Sequence, residues 1–257
     1  MSSFRRLFSG VVRKRLLLLR RYPVNTGSEL LGLYVFFAVV VFGGHAVAAP
    51  TITDTLPGII VGFFLFSMAY VAYSGLSWDV MHEAQWGTLE QLAVSPYGLS
   101  RVMVAKVAAD LLVSVLYGGI LLSMMLVTTG KKLSIDLLTV VPLVTLSLLS
   151  IVGVGFSFAG LALLYKRIEN VLLLAEFALV PLVAAPVGAV PALKLLPLVE
   201  GTYLLRRAMS HGIRLWEFPL ADLGLLLLTA VSYLALGYLV FRACVRRARR
   251  DGLFGQY

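Results

Sequence analysis

Residues 137–164 read "LLTVVPLVTLSLLSIVGVGFSFAGLALL", without one charged side chain. About 20 apolar residues in helical form are enough to cross the hydrocarbon core of a bilayer. This stretch is longer than that. Lipid offers no hydrogen-bond partners to backbone N–H and C=O groups, so the segment must satisfy them within itself, as a helix. A transmembrane barrel would instead show strands of about ten residues with alternating polarity. Pro142 stands near the start, and Gly153, Gly155 and Gly160 follow. Small residues let a neighbouring helix come close, which predicts that this face packs on protein and not on lipid.

Working outward, five further stretches have the same character: about Leu30–Ala49, Pro57–Ser77, Val102–Thr128, Val171–Val190 and Leu220–Ala243. Composition agrees. Of 257 residues, 60% are hydrophobic and 14% charged, where a soluble domain carries roughly 25% charged residues. The fold predicted is an all-α membrane protein with six transmembrane helices. One domain would cover 1–257: an opening segment at 1–27, a six-span bundle at 30–243 and a tail at 244–257. The single cysteine, Cys244, excludes an internal disulfide and a multi-thiol metal site. It reads as a packing residue near the membrane edge, and no metal site is predicted.

Net charge is +9. The basic residues sit at segment ends, which favours contact with acidic lipid over nucleic acid. With both termini placed in the cytoplasm, sixteen of the 22 Lys and Arg residues fall inside and six outside. That is the asymmetry of a multi-pass cell-membrane protein. In the opening segment Phe4, Leu7, Phe8, Val11 and Leu18 recur at helical spacing. Arg5, Arg6, Arg13, Lys14 and Arg15 take other positions, giving an amphipathic interfacial helix with its cations toward headgroups. "YPVNTGS" (22–28) is expected to break it. Between the fifth and sixth spans, residues 191–219 are too polar to span. Leu195, Leu196, Leu198, Val199, Tyr203, Leu204 and Leu205 predict short helices there.

The second span carries Phe63, Phe66, Tyr70 and Tyr73 on one stripe. Tyr70 and Tyr73 could line a path, or the stripe could serve helix packing. Ionisable groups inside spans are functional candidates, which singles out Glu176 for a pathway or gating role. Asp110 is expected to pair with Lys106 one turn away, and Glu29 reads as an interfacial acid.

One polar stretch interrupts the apolar blocks: "EAQWGTLEQLAVSPYGLSRVMVAK" (83–106). As a helix it places Trp86, Leu89 and Val94 on one side and Glu83 with Glu90 on another. Gly87 permits close backbone approach. Ser95-Pro96 stops the helix, because a residue before proline disfavours the helical region. From these features alone it serves equally as a docking helix or as a linker lying on headgroups. However, Glu83, then Gly87-Thr88-Leu89-Glu90-Gln91-Leu92, then Ser95-Pro96, then Lys106, resembles the signature of ABC-2 type transporter permeases. These are membrane subunits of a class of ATP-binding-cassette exporters. The likeness extends along almost the whole chain, with the uncharged Ala84, Gln85 and Trp86 as a departure.

The resemblance implies a short cytoplasmic coupling helix that seats in an ATPase subunit. Glu83, Trp86, Gly87, Thr88, Leu89 and Glu90 would face that motor, and Ser95 and Pro96 would end the segment. It also implies an exporter permease that works with ABC ATPase subunits and with a second copy of itself or a related permease. No Gly-x-x-x-x-Gly-Lys-Ser/Thr phosphate loop occurs in the sequence. ATP and Mg would therefore be bound by the partner ATPase, with no cofactor in this chain and no enzyme activity of its own. The competing readings are an ATP-independent carrier, a structural membrane subunit and an intramembrane hydrolase. The hydrolase would rest on Ser157, for which no histidine offers a base at matching depth.

Overall fold

The computed structural model describes residues 2–86, 91, 97–165 and 168–251, and for 2–4, 44–55 and 84 the backbone alone. Every regular element among these is helical. The α-helices are α1 (Ser2–Arg21), α2 (Pro23–Ala38), α3 (Gly44–Gln85), α4 (Leu99–Thr129), α5 (Leu137–Leu164), α6 (Glu169–Val183), α7 (Val199–His211) and α8 (Leu220–Arg250). A π-helix, Val39–Gly43, follows α2. Short 3-10 turns at Pro191–Leu195 and Leu215–Glu217 flank α7, in line with the short helices expected in that connection.

Among the described residues five segments are long and apolar enough to cross a membrane: Pro23–Gly43, Leu56–Glu83, Leu99–Thr129, Leu137–Leu164 and Leu220–Arg250. They correspond to five of the six predicted spans. In place of the span expected at Val171–Val190 stands α6, with 15 residues. That is about 22 Å of helix, short of the roughly 30 Å of hydrocarbon. Pro181 lies in its last turn and Pro186 follows. A proline ring removes an amide donor and crowds the preceding turn, so the helix stops at Val183.

Three other boundaries depart from expectation. Only Tyr22 separates α1 from α2, because Pro23 takes the first helical position, where its missing N–H costs nothing. Residues 50–57, expected as a loop, have helical backbone within α3. The chain nonetheless turns back between Phe37 and Phe63: Phe36 and Phe37 each lie 5.4 Å from Phe63, whereas residues this far apart on a straight helix would be separated by roughly 40 Å. At the other terminus α8 continues through Arg250, so residues 244–250 extend the helix and are not a separate tail. Cys244 is buried there against Gly160.

The helix directions follow from named contacts. α4 runs antiparallel to α3, with Lys106 beside Asp79 and Glu83 at one end and Gly118 beside Met68 further along. α6 is also antiparallel to α3. Gln85 donates to Glu169 at 3.0 Å, Trp78 to Glu176 at 2.6 Å and Tyr73 to the Leu172 carbonyl at 3.5 Å. α5 and α8 run parallel: Gly153 meets Tyr233 and Gly237, and Gly160 meets Phe241 and Cys244. A Cβ on Gly153 or Gly237 would overlap the facing backbone, so the close approach predicted for Gly153 and Gly160 is present. Gly155 faces α3 instead, in ordinary contact with Leu76 and Tyr73.

Candidate functional site

Glu83 sits in the last turn of α3 and Trp86 in the turn that follows. Gly87, Thr88, Leu89, Glu90, Ser95 and Pro96 lie outside the described residues. Glu83 itself belongs to a set of ion pairs that ties three helices. Lys106 of α4 donates to Glu83 at 2.9 Å and lies 3.5 Å from Asp79. It therefore pairs across to α3 and not with Asp110 along its own helix, as sequence spacing had suggested. Asp110 is taken by Arg15 of α1, 3.1 Å away. Its side chain is 4% exposed. Gly75 makes the room: a Cβ there would come within 2.6 Å of the Asp110 carboxylate.

Arg5, Arg6, Arg13 and Lys14 are exposed, consistent with an interfacial helix, but Arg15 turns inward. It falls one turn beyond Val11, on the side of α1 that packs against the bundle. Around these pairs lies a cavity of about 180 Å³ bordered by Arg15, Asp79, His82, Glu83, Lys106 and Asp110. Trp86 is 71% exposed and stacks on His82, rings 5.4 Å apart and 12° from parallel.

A second feature is a row of cavities along the seam of α2, α3 and α6. The first, about 500 Å³, is polar and touches Asn25, Ser28, Glu29, Tyr70, Asp79 and His82. The next, about 420 Å³, shares Ser28, Glu29 and Tyr70 with it and adds Phe36, Phe66 and Glu176. A third, about 170 Å³, shares Phe36, Phe66 and Val180 with the second and reaches Arg206 of α7. The row thus leads from the Glu83 end of the bundle to the α7 end.

Two carboxylates face the middle chamber. Glu29 accepts a hydrogen bond from the Tyr117 hydroxyl at 2.9 Å, and Glu176 accepts one from the Trp78 indole at 2.6 Å. The predicted aromatic stripe divides. Tyr70 is half-buried and lines the cavities, while Tyr73 is fully enclosed against Phe158, rings 5.8 Å apart. Glu29, read from sequence as an interfacial acid, instead borders the chamber. Its partner lies on α4, far along the chain, so no local pattern signals the contact.

The far end carries a charge cluster that sequence reasoning missed. Lys194 bridges Glu200 at 3.3 Å and Asp222 at 2.9 Å. Glu200 is 1% exposed. Burial pushes its carboxyl above the ordinary range, and Lys194 offsets only part of this. Leu198 caps the start of α7, and its φ of 67° is left-handed, a strain of about 1 kcal/mol for a side-chain-bearing residue. The Leu198 N–H donates to the Ser150 hydroxyl at 3.1 Å, which holds that turn on α5. Nearby, Arg206 donates to the Val183 carbonyl at 3.0 Å.

The Ser157 hydroxyl donates to the Gly153 carbonyl at 3.4 Å. Among the described residues no group of three His, Cys, Asp or Glu side chains could hold a metal ion. Comparison with protein-family models, with curated proteins and with solved structures found no match for the chain.

Proposed function

We propose that the chain is the membrane-spanning permease subunit of an ABC-2 type exporter, working with a separate ATPase and a second permease copy in the cell membrane. The observation that carries this reading is the ion-pair set around Glu83, the first residue of the signature segment. Glu83 lies in the last turn of α3, Lys106 near the start of α4, and the two are bonded at 2.9 Å. Arg15 joins α1 to the same place through Asp110. A push on residues 87–96 would therefore reach three helices at once, two of them long enough to span.

Six crossings fit the helix directions. α5 and α8 run parallel, so the chain must return across the membrane between them. α6 runs antiparallel beside α3, and it supplies that return together with residues 184–198. Both termini then lie on the signature side, which is the cytoplasm by the positive-inside asymmetry. The cavity row along α2, α3 and α6 is the route proposed for the substrate, with Tyr70 and Glu176 on its wall. Tyr73 serves to seat α6 through the Leu172 carbonyl.

The test is purification of the full chain from its own cells in mild detergent. An ATP-hydrolysing subunit should copurify with the wild type. Gly87→Pro combined with Glu90→Lys should insert normally but lower the copurifying ATPase activity about tenfold or more, as expected for loss of an interface anchor. Undiminished ATPase in the double variant would overturn the docking role.

A further inference from the structure

The middle chamber is mismatched with itself. Its walls are apolar and aromatic, with Phe36, Phe66, Tyr70 and Phe177 around it, yet it presents the carboxylates of Glu29 and Glu176. Charged groups at membrane depth normally pair with an opposite charge. Five other acids follow that rule: Asp110 has Arg15, Asp79 and Glu83 have Lys106, and Glu200 and Asp222 have Lys194. Among the described residues Glu29 and Glu176 have no cationic partner. Their hydrogen bonds come from neutral aromatic donors, Tyr117 and Trp78. Arg15 borders the neighbouring polar cavity but is committed to Asp110.

We propose that this chamber binds an amphipathic organic cation, a single positive charge on an aromatic or alkyl body. The proposal deepens the exporter reading and rests on it for the direction of movement, though not for binding. Three physical terms converge. The carboxylates supply the missing counter-charge in a medium where Coulomb attraction is stronger than in water. The faces of Phe36, Phe66, Tyr70 and Phe177 attract a cation through their quadrupoles. The remaining apolar wall covers the body of the ligand. The size also suits: about 420 Å³ lies within the roughly 300–1,000 Å³ of small-molecule pockets. The adjoining polar cavity meets the chamber at Glu29 and Tyr70, so an entering cation would meet a carboxylate first.

The test uses the purified full chain in lipid nanodiscs with tetraphenylphosphonium as probe. Tetraphenylborate, of similar shape and opposite charge, is the control, and empty discs correct for partition into lipid. Saturable binding of the phosphonium is expected, with none of the borate. Glu29→Gln and Glu176→Gln should each weaken it about tenfold, a loss of one close charge contact. The double variant should lose it. Leu173 also lines the chamber; Leu173→Trp keeps both carboxylates but fills the space, and it should also abolish binding, which guards against a Gln variant that fails to fold. Equal binding by wild type and the double variant, equal binding of the borate, or wild-type affinity in Leu173→Trp would each overturn the proposal. Uptake that never saturates would do the same, as when lipid chains or a second copy cover the chamber. Saturable phosphonium binding that leaves a copurified ATPase unaffected would sink the exporter reading alone.

Discussion

The two ends of the bundle both concentrate charge, but they use it differently. At the signature end Arg15, Asp79, Glu83, Lys106 and Asp110 come from three helices, and each ion pair crosses from one helix to another. Asp79 is still 33% exposed. At the α7 end Lys194 gathers Glu200 and Asp222 within a single connection and the helix it feeds. There Glu200 is almost wholly enclosed, as Asp110 is at the signature end. Pairs between separate helices can exchange as helices tilt. A buried cluster inside one connection holds that connection in place. The first arrangement suits a part that moves, and the second a part that is anchored.

Three substitutions would break or sharpen this contrast. Lys194→Met leaves two acids facing each other under α7. Removing one partner of a buried pair costs about 3 kcal/mol, read as a lower thermal midpoint of the detergent-purified protein. Adding Glu200→Met should restore most of it, since an apolar pair tolerates burial. No change in midpoint for Lys194→Met would erase the distinction between the ends. Arg15→Met should cost less, about 2 kcal/mol, because the guanidinium is partly exposed while Asp110 is not. Adding Asp110→Asn should recover stability, and trypsin should cut faster at Arg13 and Lys14 in the single variant. The smallest effect belongs to Lys106→Met. The acids it leaves behind, Asp79 and Glu83, are 33% and 16% exposed, more than Glu200 or Asp110, so a loss of about 1 kcal/mol is expected, diminishing in high salt. A larger cost there than at Lys194 would reverse the comparison.

Much of the fold could be read from periodicity and composition. Long apolar runs with few charges place five long helices, and Gly153 and Gly160 mark a real close contact. What escaped depends on partners distant in sequence. Arg15 looks like one more headgroup cation until α4 brings Asp110 beside it. Glu29 looks interfacial until Tyr117 and Tyr70 define the chamber. The fifth span was drawn too long because apolar content outvoted Pro181 and Pro186, which end α6 by removing donors. Glu83 was assigned to a separate linker helix, although the rising polarity of 79–85 does not interrupt backbone bonding and α3 carries on through Gln85. The cluster at Lys194 was hidden because its three members are scattered through a stretch with no clear period.

The glycine-on-glycine meeting of α5 and α8 has a mechanical consequence. With Gly153 and Gly237 in backbone contact, neither helix can roll or slide past the other without collision, so the two form a mast. If the chain is the exporter subunit proposed above, any swing would then be carried by α2, α3, α4 and α6 against it. A spectroscopic label near Arg250 paired with one on α5 should report a constant distance throughout turnover, and a label on α2 measured from that mast should not.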